Sequence, residues 1–362
     1  MFSARGCLPA IFVVAVAPAL WINKAAAVGG DLPRPDRDNN GIPDSLELRL
    51  ANLYAPVLFY SADEPNLPTR VDAFLKNRQL WFYGKYCVPD RSFAGRVNGE
   101  IPRLTLPGCR AGSGPIDSYG TWSADKSATF YLNTGSWPEL HGSIDPANWV
   151  TYVHSYWNEL GGITLQYWRF YAFNTSYWAG VHFGALDHGG DWEAIHVVLG
   201  PGPAYAAQQI RLLGHRQIVT ESWKRVKVED GHPLILCTKG GHTSDLFPAD
   251  QVRNRNRFIE HQSWTGGEVR WADGKRAPGG PLLLLGQKTR PMAGMEWIRY
   301  SGLWGTRESS GIFAAYHSGY WGPAFNETGM RADGFFSSWC EGIATGSPVA
   351  VRQECYPSKM AP

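Results

Sequence analysis

The chain has 362 residues, 34 of them basic and 32 acidic, a balance that disfavours nucleic-acid binding through a broad basic face. A local patch such as Arg253, Arg255 and Arg257 is left, and a solvated loop is its simpler use. Abundant glycine and proline with 13% aromatic residues favour many short strands joined by turns, in one large domain or two small ones.

Residues 1–27 read as a cleavable signal peptide: Arg5 precedes the apolar run Ile11 to Val16, and Ala25, Ala26 and Ala27 form a small-residue cleavage region. Pro18 and Lys24 break the run well short of the roughly 20 apolar residues that a spanning helix needs, and no second stretch is long enough, so no transmembrane segment is expected. Cleavage would remove Arg5 and Lys24 but no acid, leaving 32 basic against 32 acidic groups. It would also remove Cys7, leaving five of six cysteines and therefore an odd thiol. Cys237, in the apolar run from Pro233, is the candidate free thiol; Cys87 with Cys109 and Cys340 with Cys355 are the local disulfide pairings that an oxidising compartment allows, other connectivities staying open.

Residues 28–49 read as a linker that carries a calcium-loop-like segment, followed by a single β-rich domain over 50–362. From Asp36 to Glu47 the chain fits the calcium-loop pattern at every specified position. Asp36, Asp38 and Asn40 offer side-chain oxygens, Gly41 permits the sharp turn, and Ile42 gives a backbone carbonyl. Asp44 acts directly or through water, and Glu47 closes the shell. Pro33 and Pro35 exclude an entering helix, which points to an isolated loop that orders the N-terminal segment. The alternative is that Asp44 caps the next helix with Glu47 returning the bond. That helix is expected from Asp44, with Leu46, Leu50 and Leu53 on one face, and a second short one from Thr69, where Thr69 and Asp72 have capping-box spacing.

Strands are expected at 55–60, 129–132, 163–173, 192–199, 234–238 and 281–285, and the fold class is a mainly β protein, a β-sandwich with a few short peripheral helices. Sixteen tryptophans are best spent on core packing, with a sugar-stacking surface as the alternative. Within the segment from Asp187 to Val198, a strand beginning near Asp191 puts Asp191, Glu193, Ile195 and Val197 on one face and Trp192, Ala194, His196 and Val198 on the other. Two same-face carboxylates repel unless a proton or cation lies between them, and His188 on its glycine-rich turn can swing in as a further ligand. An unidentified divalent cation on His188, Asp191 and Glu193 is one outcome; a polar cluster held by a nearby arginine such as Arg169 is the other.

These residues sit among blocks that resemble the vacuolar protein sorting-associated protein 62 family: Leu53 to Tyr60 with Asp63-Glu64-Pro65, Tyr167 to Asn174, His188 to Glu193, Lys239 to His242, Gly302 to Gly305 and Gly322-Pro323. More distantly, the segment ending Asp191-Trp192-Glu193 is similar to the central motif of the necrosis- and ethylene-inducing-peptide-like cytolysins, secreted β-sandwich proteins that bind a divalent cation and act on plant sphingolipids. That resemblance implies a cation on His188, Asp191 and Glu193, with Asn174 where the family has a further acidic ligand and Gly190 where it has a second histidine.

The function expected is therefore a secreted, extracellular, cation-dependent β-sandwich that binds a surface ligand, either a glycan or a membrane lipid head group. The alternatives are a metal-dependent hydrolase using His242 or His196 as acid or base, and a structural extracellular protein.

Overall fold

The computed structural model describes residues 35–83, 91–98, 110–111, 114–115, 129–133, 141–178, 180–182, 184, 187–214, 217–248, 255–300, 303–305, 321–325, 327–331 and 334–337. The expected signal peptide over 1–27 and the cysteines at 87, 109, 340 and 355 lie outside them. The described residues, which begin at Pro35, belong to one compact unit. Two sheets dominate it, with few short helices, which bears out the β-sandwich expectation.

Eight strands position the sites: β1 (Val57–Ser61), β2 (Thr151–Trp157), β3 (Gly162–Asn174), β4 (His188–Pro201), β5 (Ala207–Gly214), β6 (His232–Cys237), β7 (Phe258–Gln262) and β8 (Leu282–Leu284). One sheet runs Gln217–Ser222, β5, β4, β3, β2, β8; the other is built on β6, β1 and β7, extended by Glu268–Arg270 and Arg276–Pro278. A smaller sheet pairs Arg91–Asn98, Lys76–Tyr83 and Thr129–Asn133. β3 and β4 are antiparallel with Asp191 opposite Tyr171, Glu193 opposite Arg169 and His188 opposite Asn174. β8 returns parallel to β2, Leu282 to Leu284 lying beside Thr151 to Val153.

β3 and β4 are buried over nearly their whole length because the sheet that holds them is covered on both faces. Leu165, Tyr167 and Tyr171 of β3 and Ile195 and Val197 of β4 meet Leu58, Tyr60, Ile235 and Ile259 of the facing sheet in the inter-sheet core. Trp168, Phe170, Trp192 and Ala194 point the other way, into a second core closed by Phe74, Trp297, Tyr300 and Trp304. Trp192 lies 5.3 Å from Trp304 and 5.4 Å from Trp297 between ring centroids, a separation at which aromatic pairs attract beyond simple burial. These tryptophans are core, as the composition favoured. Asp191 and Glu193 occur on the Ile195 side, so the alternation read from the sequence holds and sets both carboxylates between two sheets.

The first helix, α1 (Asp44–Tyr54), begins where expected, but its buried stripe is Asp44, Glu47, Leu50 and Ala51. Leu53 is 46% exposed; the face that turns inward is the one carrying the two acids. Pro43 is the N-cap residue and makes no side-chain cap, so the capping role for Asp44 does not occur. Asp44 instead accepts hydrogen bonds from the backbone N–H and Nε of Arg37. The second helix, α2 (Val71–Leu75), starts two residues after Thr69, and Asp72 is held by a bidentate pair with Arg70. No helix among the described residues is long and apolar enough to cross a membrane.

Candidate functional site

The loop before α1 is packed into the molecule. Asp38 and Glu47 are each 2% exposed, Asn40 is fully buried and Ile42 anchors in the inter-sheet core. Two backbone N–H groups, of Asn40 and Gly41, donate to the Asp36 carboxylate at 3.1 and 2.9 Å, which folds the loop back on its first acid. Gly41 takes φ of 80°, a left-handed conformation open to glycine at little cost. The result is a set of carboxylate oxygens from Asp36, Asp38 and Asp44 that all lie within 4.8 Å of one another, an arrangement that can hold a divalent cation.

Glu47, expected from its spacing to close the shell, is not among the three carboxylates that come within 4.8 Å of one another. Its Oε1 accepts from Asn40 Nδ2 at 2.9 Å, while its Oε2 is buried without a hydrogen-bond partner. Asn40 Oδ1 is used by the Ile42 N–H at 2.7 Å. Burial, reinforced by Asp38, pushes the Glu47 carboxyl up to about 8, with the Asn40 amide that donates to Oε1 opposing the rise. Burial likewise raises Asp38 to about 7, with Asp36 adding to the rise and Gln287 opposing it. The basic group at the loop, Arg37, has a side chain 68% exposed and reaches only Asp44. Buried acids that lack an internal counter-charge are poised for either a proton or a metal ion.

Two residues that the sequence did not single out complete this region. Gln287 Nε2 donates to Asp38 Oδ2 and to the Ser155 carbonyl, both at 3.2 Å, and Asn40 Nδ2 reaches the same carbonyl at 3.3 Å. Gln287 follows Asp38 by 249 positions; no spacing pattern reports such a neighbour.

The second region lies between the sheets at the start of β4. His188 Nε2 is 3.7 Å from Asp191 Oδ1, and Asn174 Nδ2 is 3.4 Å from Asp191 Oδ2. In an unbroken strand, residues three apart face opposite ways; Gly190, with φ of 67°, breaks the alternation and brings His188 to the side of Asp191. A Cβ at Gly190 would stand 2.1 Å from the Trp304 carbonyl oxygen, so a histidine at this position has no room. Glu193 stands next along the same face, opposite Arg169. Burial first, and Asp191 second, hold its carboxyl well above the usual carboxylate range, with Arg169 offsetting part of the rise. Asp187 is turned away, accepting from Ser176 and pairing with His182 at 2.7 Å.

The residue that dominates this cluster is His242, weighed from sequence only as an acid or base. It sits in a left-handed turn at φ of 54° and stacks on the Tyr171 ring at 3.7 Å. Its Nδ1 lies 2.8 Å from Asp191 Oδ2, and its Nε2 is 3.1 Å from the Asn66 carbonyl and 3.5 Å from Glu64 Oε1. Burial alone would push this imidazole down, but Asp191 and Glu64 outweigh it and pull it up to about 9. The imidazolium is therefore the internal counter-ion of Asp191. Glu64 is fixed by the N–H groups of Gly240 and Asn66. His242 and His196 are both fully buried. Among the described residues, a set of three acidic or imidazole side chains with ligand atoms all within 4.8 Å of one another occurs at Asp36, Asp38 and Asp44 of the N-terminal loop and not in this cluster.

No family model and no curated protein matches the chain. Among solved structures it is similar to NLPPya in complex with glucosamine, with a TM-score of 0.34 and 10% identity over 74% of this chain and 83% of that chain. NLPPya in complex with mannosamine gives 0.35 and 10% over the same shares. A structure described as a toxin fold for microbial attack and plant defense gives 0.33 and 12% identity over 68% and 76%. At these TM-scores the likeness carries no weight for the site, which rests on the residues themselves.

Proposed function

We propose that this chain is an exported, calcium-binding β-sandwich protein that recognises a ligand on an extracellular surface, a glycan or a lipid head group. The observation that carries the proposal is the N-terminal loop: three aspartate carboxylates within 4.8 Å and a buried Glu47 oxygen without a partner. Hard oxygen donors in a turn of this kind suit calcium. When bound, calcium supplies charge and ties the loop to α1 and β2; it takes no part in a reaction. The leader pattern over 1–27 supports export, and the order of the blocks from Leu53 to Pro323 supports a relation to the vacuolar protein sorting-associated protein 62 family.

The ligand surface is the rim above the Asp191 cluster, where Lys239 pairs with Asp63 and lies 4.8 Å from the centre of the Tyr177 ring, beside the His182–Asp187 pair. Aromatic and charged groups interleaved on such a rim suit a hydroxyl-rich or zwitterionic head group. A second cation on His188, Asp191, Glu193 and Asn174 belongs to the same proposal, and it must compete with His242 for Asp191. The competing reading, a structural extracellular protein, is favoured by that His242 contact, which balances Asp191 without a metal.

Glycan and lipid arrays probed with the purified protein, in calcium and in chelator, test the proposal. Calcium-dependent retention of a ligand without its turnover is expected; no retention on either array would leave the structural reading. Metal analysis of Asp191→Asn combined with Glu193→Gln tests the second cation, which predicts a stoichiometry lower by one with the loop still filled.

A further inference from the structure

The segment after β8 has no role in the loop pattern, yet it closes on the loop. Parallel pairing carries β8 alongside β2 and delivers the next residues beside His154 and Ser155: the Leu285 N–H donates to the Val153 carbonyl at 2.7 Å, and His154 Nδ1 lies 3.1 Å from the Gly286 carbonyl. Gly286 takes φ of 73°, and a Cβ there would stand 3.1 Å from Asp38 Cβ and 2.7 Å from the Met292 nitrogen. The chain then makes a tight turn, Gln287 and Arg290 exchanging both backbone hydrogen bonds, and Arg299 pins its tip through the Lys288 and Thr289 carbonyls. Gln287 is thus set rigidly, 3% exposed, against Asp38.

Its amide is half used. Nε2 serves Asp38 and Ser155, whereas Oε1 is buried with no hydrogen-bond partner, as is Glu47 Oε2 across the loop. A cation among the carboxylates engages the Gln287 oxygen once the amide rotates by half a turn, in exchange for the Nε2 hydrogen bonds to Asp38 and the Ser155 carbonyl. The N–H face of Gln287 softens the repulsion at Asp38 when no ion is present; its oxygen face is a neutral hard donor of the type calcium takes from glutamine side chains.

We infer that Gln287 is a ligand of the loop cation, so that calcium clasps the N-terminal loop to the turn after β8. This rests on the calcium reading of residues 36–47. Its consequence is that the ion joins segments far apart in sequence.

The test uses the full chain as wild type, Gln287→Ala and Gln287→Asn, with calcium affinity from calorimetry and the number of metal-bound waters from terbium luminescence lifetimes in light and heavy water. A ligand role predicts at least tenfold weaker calcium binding and about one more terbium-bound water in both variants. If Gln287 acts only as a donor to Asp38, its loss destabilises the ion-free state alone, and calcium then binds as tightly as in wild type or tighter, with an unchanged water count; that result overturns the inference while sparing the loop site. Absence of calcium binding by the wild type overturns the loop reading and the inference with it. Should Gln287→Ala fail to fold, Gln287→Asn alone decides, since it keeps a polar amide but shortens its reach.

Discussion

The N-terminal loop and the start of β4 both bury carboxylates, and they resolve the resulting repulsion in opposite ways. At β4, Asp191 has a cationic partner of its own: His242, held up at about 9, contacts it at 2.8 Å, and Arg169 stands opposite Glu193. At the loop, the cationic partner found among the described residues for Asp36, Asp38, Asp44 and Glu47 is Arg37, whose side chain is largely in solvent, and two of the four carboxyls are driven towards neutrality. Counting acids therefore does not locate a cation. What separates the two regions is whether the fold has already supplied the counter-charge, because a buried charge left unpaired is far more costly than a paired one.

Removing the partner from the self-balanced region should produce the largest loss. Asp191→Ala removes the nearer of the two carboxylates that hold the His242 imidazolium, leaving Glu64 at 3.5 Å, and is expected to cost about 3–5 kcal/mol in denaturant unfolding, equally with and without calcium. A loss below ~1 kcal/mol would mean that His242 does not carry charge there. The loop should behave in the converse way. Asp36→Asn with Asp38→Asn should change stability little in chelator but remove the stabilisation that calcium gives the wild type, about 4 kcal/mol at a thousandfold excess over Kd; melting curves in calcium and chelator compare the two.

The dependence on pH sharpens the contrast. Asp38 and Glu47 are raised from 3.8 and 4.5 to about 7 and about 8, so their contribution is whole below about pH 4 and is lost as pH climbs through 7 to 8. In chelator, stability should fall over that window by a few kcal/mol, and calcium should reverse the fall, because the ion binds the deprotonated loop. His242, raised from 6.5 to about 9, contributes below 6.5 and loses its contribution as pH passes 9, whether or not calcium is present. A fall with the same midpoint in calcium and in chelator would place all the titration at β4. The smallest expected effect is Glu47→Gln, which removes one charge from the loop and should weaken calcium binding about tenfold, or about 1.4 kcal/mol by calorimetry.

Local pattern was enough to read the β-sandwich, the start of α1, the face shared by Asp191 and Glu193, and the acidic cluster of Asp36, Asp38 and Asp44, because each is written in spacings of two to twelve residues along one strand, helix or turn. Cys237, chosen as the free thiol, is buried and forms no disulfide among the described residues. The partners were decided by tertiary structure. Gln287 reaches Asp38 only because β8 runs parallel to β2, and His242 reaches Asp191 only because the loop after β6 folds over β4. The same holds for Asp44, which has cap spacing but is claimed by Arg37, and for Leu53, which has core spacing but lies on the face that α1 turns to solvent. A spacing determines which side chains share a surface. Which charge meets which is settled by contacts between distant segments, and burial between two sheets makes those contacts decide whether a carboxylate is paired with a histidine or open to a metal ion.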